Sequence, residues 1–445
     1  MSAHPVVVIG AGPIGLAAAA HLTEAGTPVL VLERGHSAGS AVAQWNHVRL
    51  FSPWSEIVDP AAARLLEPTG WRAPDGSAYA TGREWVEKYL VPLAAVLGHS
   101  VRFGSEVVGV ARRGRDRVVD AGRDTEPLTV HIGRTDGTEE RILASAVIDA
   151  SGTWVSPNPL GSEGLPAVGE HAAADRISYR VPDLSDESVR RLFAGTHVVI
   201  AGSGHSALTA IIAFADLAAA NPGTTLTWAV RRAVTESVFG GGESDELAAR
   251  GALGLRAKKA VDDGLLQVVS GFRTETILHD DGRLALVGDN GTRIDGVDHV
   301  VALTGFRPDL SWLSEVRLDL DPTLQAPRSL APLIDPNVHS CGTVYPHGVD
   351  ELTQPEPGLY LVGMKSYGRA PTFLAMTGYE QVRSIAAELS GDPESARTVE
   401  LRLPDTGVCG GAGLFDDPEA DASVVGGCCG TPGPVSVGLG SGSGR

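Results

Sequence analysis

The stretch VVVIGAGPIGLAAAAHLTEAGTPVLVLERG, residues 6–35, decides how the rest of the chain is read. Four β-branched residues, Val6 to Ile9, run into Gly10, and Gly10, Gly12, Pro13 and Gly15 open an alanine-rich segment. Strand, tight turn and helix therefore follow one another directly. In such a turn the first glycine permits the bend, the second lets backbone approach a pyrophosphate, and the third lets helix pack on strand. The helix start adds unpaired N–H groups and the positive end of a dipole. The helix is expected to end near Gly26, and a second strand, Val29 to Leu32, delivers Glu33 eighteen residues after Gly15, with Arg34 beside it. A carboxylate at that distance accepts hydrogen bonds from ribose hydroxyls, so the stretch predicts a dinucleotide-binding module. The apolar start does not read as a secretory leader, because His4 and Pro5 provide no basic segment.

The chain has 445 residues, room for two or three domains with full cores, and a net charge of -18. A field of that sign repels polyanions, which argues against nucleic acid and an anionic membrane as partners and requires any phosphate to be held by local donors. No apolar run reaches bilayer-spanning length; residues 207–220 are short and contain Asp216. The expectation is a cytoplasmic protein acting on a small-molecule substrate, with a homodimer left open. Four cysteines are no disulfide framework in a chain this long, and three of them fall in the last 37 residues.

Beyond Glu33 the run Gln44-Trp45-Asn46-His47-Val48-Arg49-Leu50-Phe51-Ser52-Pro53-Trp54 sets two tryptophans, a histidine and an arginine near the end of a dinucleotide-binding strand. They fit the lining of a cofactor's ring system; singly, Trp45 and Trp54 fit core anchors equally well. Residues 81–98 have helical periodicity behind a threonine N-cap. Strands are expected over 101–110, with Val107 assigned to the cofactor, over 128–132 and over 146–150. The last runs into Asp149-Ala150-Ser151-Gly152-Thr153-Trp154, small residues that let backbone pass tightly over a ligand.

Residues 155–194, rich in proline and glycine and then polar, suit a crossing between domains. The opening pattern then returns: a strand over 196–201, the turn Gly202-Ser203-Gly204-His205-Ser206-Ala207, a helix over 208–220, a stop at Asn221-Pro222-Gly223 and a strand over 225–230. This strand ends in Arg231-Arg232. Guanidinium groups there suit a 2′-phosphate, so the second module predicts NADPH, while Glu33 in the first suits the bare ribose of FAD. A solvated strand end is the plainer alternative for the two arginines. His205, at the helix start, reads as a backbone-positioning residue ahead of a base. Strands over 268–270, 284–287 and 299–303 follow, the last closing on Thr304-Gly305-Phe306-Arg307-Pro308 as the counterpart of Ala150-Ser151-Gly152. A strand over 359–362, ending at Gly363-Met364, and a helix over 371–389 let the chain return to its first domain. The fold class is α/β, with two Rossmann-like domains: residues 1–155 begin the FAD domain, 156–194 cross, 195–308 form the NADPH domain, 309–403 complete the FAD domain, and 404–445 are a flexible glycine- and cysteine-rich tail.

That order resembles the two-dinucleotide-binding flavoproteins, which include thioredoxin reductase-like enzymes and flavin-containing monooxygenases. The resemblance covers residue 5 to about 395 and is carried by GAGPIG with Glu33, QWNHVRLFSP, DASGTW with Pro157 and Pro159, GSGHSA with Arg231, and LTGFRPDL. It implies FAD and NADPH as cofactors, a flavin near Trp45 to Ser52, cofactor contacts from the ASG and TGF turns, and a flavin contact from Gly363. It names no acid or base; Trp45, His47, Arg49 and Cys341 are the catalytic candidates. Three departures stand out. The CxxC of thioredoxin reductases is missing, with Gly204-His205-Ser206 at the head of the second helix; the FxGxxxHxxxY fingerprint of flavin-containing monooxygenases is not met; and Met364 replaces the aspartate that often follows the third flavin glycine. In detail the chain looks most like the flavin monooxygenase-type proteins of bacterial arsenic-resistance operons. That resemblance implies a monooxygenase linked to metalloid detoxification. A reductase of a small disulfide or thiol-bound metalloid, and a metalloid-binding protein with a structural flavin, are the alternatives.

The end of the chain bears on that choice. Cys409 and the vicinal pair Cys428-Cys429 sit among glycines. Adjacent cysteines form a mutual disulfide poorly, and three soft thiolates on one segment suit capture of a soft metal or trivalent arsenic. A vicinal pair on such a tail also resembles mercuric reductase. An adventitious cluster is the alternative. His339, Cys341 and His347 make a second small group, for which packing is the plainer reading.

Overall fold

The computed structural model describes residues 4–242, 248–337, 346–371 and 373–401. Val6–Ile9 is buried along its whole length and forms the centre of a five-stranded sheet. Across that sheet the order is Leu359–Leu361, Ala146–Asp149, Val6–Ile9, Val29–Leu32, Val101–Arg102, and every pairing is parallel. A parallel sheet needs cover on both faces. Val6 and Val8 pack with the helices Pro13–Glu24 and Ala375–Leu389, while Val7 and Ile9 face an antiparallel sheet of Ser105–Arg112, Leu128–Arg134 and Glu139–Ala144.

The second sheet repeats this plan. Its order is Ile177–Ser178, His299–Ala302, His197–Ala201, Thr225–Val230, Gln267–Ser270, again all parallel. The helices His205–Ala220 and Ala248–Asp262 cover one face, and the antiparallel strands Thr274–Asp280, Arg283–Gly288 and Arg293–Val297 cover the other. Each sheet takes its edge strand from across the boundary. The first receives Leu359–Leu361 after the chain has built the second, and the second receives Ile177–Ser178 from the stretch read as a crossing.

Several local expectations need correction. The strand expected over 101–110 is two: Gly104, at φ +61°, turns the chain out of the parallel sheet after Arg102, and Ser105 opens the antiparallel one. Thr81 does cap its helix, in a reciprocal box with Glu84, but a wide turn at Val86–Leu90 interrupts the helix before Val91–Leu97, where Pro92 lacks an N–H to donate. The second module's helix starts at His205, three residues earlier than expected. The last long helix starts at Ala375, four later than expected. Glu139–Ala144, Thr274–Asp280, Arg293–Val297 and the helix Ala248–Asp262 were not anticipated, since their exposed faces interrupt the apolar pattern.

The returning chain is fastened by a buried ion cluster. Glu356, with no exposed side-chain surface, accepts from Arg112 Nε at 2.8 Å, Arg123 Nη2 at 2.7 Å and the Arg317 N–H at 3.1 Å.

Candidate active site

Open parallel sheets bind ligands beyond the carboxyl ends of their strands. At that edge of the first sheet Gly10 adopts φ +101°, and a Cβ there would lie 2.9 Å from the Ala150 carbonyl oxygen. Gly15 serves packing: its Cβ would fall 1.9 Å from the Gly10 oxygen. Gly12 has nothing within 4 Å of its Cβ position, which leaves open space over the helix start. The Glu33 carboxylate accepts from the Ala11 N–H at 2.8 Å and the Gly35 N–H at 2.7 Å. It is thus tied to the glycine turn, with lone pairs beyond those two bonds to spare.

A cleft of about 1490 Å³ opens over this turn. Its lining includes Gly10, Gly12, Pro13, Glu33, Arg34, Gln44, Trp45, His47, Arg49, Ser52, Val107, Ala150, Ser151, Gly152, Gly363 and Met364. Of the residues assigned from sequence to the first dinucleotide, only Gly15 is outside it. Trp45 and Trp54 divide the two readings offered for them: Trp45 lines the cleft, and Trp54 is a core residue at 3 % exposure. Arg49 also donates to the Tyr79 carbonyl, which holds the segment against its hairpin partner.

From the second turn His205 and Ser206 line the same cleft, while Gly202, Ser203, Gly204, Arg231, Arg232, Thr304, Gly305 and Phe306 do not. The pairing Ile9↔Leu32 sets Glu33 opposite Gly10, and Ala201↔Ala229 likewise sets Val230 opposite Gly202. The place of the acid is therefore taken by valine, with Arg231 one position further. The Thr304–Phe306 turn is engaged with the segment that follows its counterpart Ala150-Ser151-Gly152. Phe306 stacks on Trp154 at 4.8 Å, the Asn158 N–H donates to Gly305 O at 2.9 Å, and Arg307 Nε donates to Asn158 Oδ1 at 2.8 Å. This joint between the modules was not legible from sequence.

A buried charge pair was also missed. Lys365 Nζ donates to Asp149 Oδ2 at 2.7 Å and to Ser151 Oγ at 3.0 Å, and lies 3.7 Å from the centre of the Trp312 ring. Neither Lys365 nor Asp149 has exposed side-chain surface. Burial pushes the lysine below its ordinary range, and the adjacent Asp149 opposes that shift. Ser151, Trp312 and Met364 line the cleft, so the pair sits directly behind its wall. The available signal was the rarity of lysine: Lys365 is one of four in the chain and follows the third glycine motif by one residue.

Among the described residues, four buried side-chain polar atoms have no partner, and two belong to cleft residues: His47 Nε2 and Trp312 Nε1. An orphaned buried donor or acceptor costs about 1–3 kcal/mol, a cost that a bound ligand relieves. Together with the open space over Gly12, this fits a dinucleotide in the cleft. His339, Cys341, Cys409, Cys428 and Cys429 lie outside the described residues. His347 is 2 % exposed and stands 2.8 Å from Gln381 Nε2, whose Oε1 accepts from the Gly363 N–H at 2.7 Å; it supports the glycine from behind. Among the described residues no cluster of three or more His, Cys, Asp or Glu is placed to hold a metal, and no helix is long and apolar enough to cross a membrane.

A family model describing pyridine nucleotide-disulphide oxidoreductases matches residues 7–331. The chain belongs to this family. As a pyridine nucleotide-disulphide oxidoreductase it is an oxidoreductase that uses FAD and a nicotinamide dinucleotide. A soluble pyridine nucleotide transhydrogenase of Vibrio vulnificus is 27% identical over 156 residues, 33% of this chain and 30% of that protein. The indole-3-pyruvate monooxygenase YUCCA1 of rice is 28% identical over 202 residues, 45% of this chain and 43% of that protein. The chain thus spans under half the length of both. Among solved structures, the bacillithiol disulfide reductase of Bacillus cereus has a TM-score of 0.63 at 18% identity, covering 87% of this chain and 99% of that one. A flavin-containing monooxygenase of Stenotrophomonas maltophilia has 0.55 at 22%, covering 88% and 99%. At these identities the likeness is one of fold. It agrees with the two parallel sheets and their repeated plan.

Proposed function

We propose that the chain is an NADPH-dependent flavin monooxygenase that oxygenates a soft, electron-rich atom, trivalent arsenic or reduced sulfur. The observation that carries this reading is the placement of cysteine. Cys341 is the first cysteine in the chain, so no dithiol from residues 1–340 reaches the cleft. Flavin, when bound, accepts hydride from nicotinamide and passes its electrons on. With no cysteine pair among residues 1–340 to take them, dioxygen is the acceptor that suits this cleft. NADPH is favoured over NADH because Val230 stands where an acid would hold a bare ribose and Arg231 and Arg232 follow it. The thiolates of Cys409, Cys428 and Cys429 favour a soft metalloid among the substrates.

The protein's own groups supply position. The Gly10–Gly15 turn and Glu33 hold one dinucleotide; the residues from Gln44 to Ser52, with Gly363, wall the cleft beside it. The test follows NADPH consumption and labelled dioxygen with trivalent arsenicals, thiols and sulfides. Substrate-dependent NADPH oxidation with one labelled oxygen in the product is expected, and no such dependence across all three classes sinks the reading. Arg231→Gln should reduce the NADPH preference about 10- to 100-fold, the worth of about 1.5–3 kcal/mol of charge-assisted hydrogen bonding. A second reading, reduction of a small disulfide or thiol-bound metalloid, is favoured by the vicinal Cys428-Cys429. Replacing both by serine should abolish turnover if electrons leave through these cysteines and leave it intact if the flavin reacts directly.

A further inference from the structure

The cleft does not end at the two glycine turns. Its volume of about 1490 Å³ exceeds the roughly 300–1,000 Å³ of a usual small-molecule site, and part of it runs along the second module's helices. From His205–Ala220 it is lined by Thr209, Ile212, Ala213 and Asp216, and from Ala248–Asp262 by Ala249, Ala252, Leu253 and Arg256. Both sets follow the i, i+3, i+4, i+7 spacing of a single helix face. At 1.5 Å per residue, Asp216 lies about 16 Å along its helix from His205, well beyond the helix start where phosphate is held. Asp216 and Arg256 approach to 4.0 Å, so the two faces end together.

Between Ser206 and that pair, Thr209 is the single polar side chain that the described residues of these two helices give the cleft. Its hydroxyl is already spent, donating to the His205 carbonyl at 2.9 Å. The first module supplies the opposite wall. Its strand Arg49–Pro53 touches the helix Ala248–Asp262, the Phe51 ring centre stands 5.0 Å from that of His205, and Leu50 and Phe51 line the cleft. The result is a limb of the cavity with apolar walls from both modules, continuous with the cofactor turns at one end and closed by an ion pair at the other. An apolar body entering it leaves water behind. A hydrated oxyacid would give up water bonds that these walls do not replace.

We propose that this limb receives the organic substituent of the substrate. The preferred substrates are then uncharged sulfides or trivalent arsenicals bearing an alkyl or aryl group, ahead of arsenous acid itself. The assignment rests on the monooxygenase reading and narrows its substrate class.

The test uses the full chain loaded with FAD, with and without NADP⁺, and reads equilibrium dialysis of methyl phenyl sulfide and dimethyl sulfide. The phenyl compound should bind about 10- to 100-fold more tightly, the worth of burying one aromatic ring. Ala252 is exposed on the limb's wall, so a larger side chain there does not enter the core. Ala252→Trp, which fills the limb, and Ala252→Glu, which charges it, should each weaken the phenyl sulfide at least about tenfold. Leu255→Trp, on the same helix but outside the cleft, should not. Equal affinity for the two sulfides, binding that neither Ala252 variant weakens, or equal weakening by Leu255→Trp overturns the assignment. Displacement of the phenyl sulfide by NADP⁺ also overturns it, because the limb would then belong to the dinucleotide. None of these readouts needs turnover. Wild-type protein that binds the phenyl sulfide as expected, yet oxygenates neither it nor a methylated arsenical, sinks the monooxygenase reading and leaves the apolar subsite standing.

Discussion

Lys365→Met tests whether the charge pair behind the cleft holds its wall together. The substitution keeps an unbranched chain of similar length and removes the ammonium. Asp149 is then left at zero exposure without its ammonium partner and with only Ser151 donating to it, from N at 3.1 Å and Oγ at 2.6 Å. Removing one member of a buried pair costs about 3–5 kcal/mol, because the surviving charge keeps its desolvation penalty and loses its partner. Against a domain stability of about 5–15 kcal/mol, that is a large share. Replacing both members restores an uncharged interior, so D149N/K365M should recover most of the loss. The four proteins form a double-mutant cycle, read as urea unfolding by flavin fluorescence and circular dichroism on matched FAD-loaded samples. Because Ser151, Trp312 and Met364 line the cleft, K365M should also release FAD more readily on dilution. A K365M protein within about 1 kcal/mol of wild type, or a double mutant no better than the single, refutes the account.

Two glycine substitutions should separate packing from ligand approach. G15A drives its Cβ to 1.9 Å from a backbone oxygen and should destabilise the first module by about 1–3 kcal/mol or more. G12A meets nothing within 4 Å and should fold normally yet lose bound flavin, visible as lost 450 nm absorbance. Glu356 gives a pH prediction. Burial pushes its carboxyl up, but the bonds from Arg123 and Arg112 outweigh burial and hold it below the ordinary 4.5. The unfolded chain therefore takes up that proton more readily than the folded one. The contribution is full above about 4.5 and is lost as pH falls through the lower, folded value. E356Q should unfold in less urea at neutral pH and show a shallower loss of stability on acidification. Glu84, held down to about 2 by Lys88 and then by the Thr81 N–H, should titrate near there by carboxyl NMR and move up in K88A.

How much was legible differs along the chain. Turn chemistry was local: Gly15 meets the Gly10 oxygen within one strand-turn-helix unit, and the spacing of Gly10, Gly12 and Gly15 marks that turn without tertiary information, although the close approach that Gly10 makes is to Ala150. The segment from Gln44 to Ser52 was legible as cleft lining because aromatic and charged residues crowd beside a dinucleotide strand. Which tryptophan serves the cleft was not, since Trp45 and Trp54 differ only in what packs on them. The joint of Phe306 on Trp154 joins residues 152 positions apart, and no periodicity records such a contact.

The sequence by itself determined the two dinucleotide modules, their order and the return of the chain to its first sheet, because each rests on short-range patterns of strand, glycine turn and helix. Only the tertiary structure decided which charges share a buried space. Lys365 and Asp149 are 216 residues apart. Their pairing follows from the parallel register that brings the strand ends 149 and 361 side by side. Electrostatics in a low-dielectric interior depends on distance in space, and sequence spacing does not encode it.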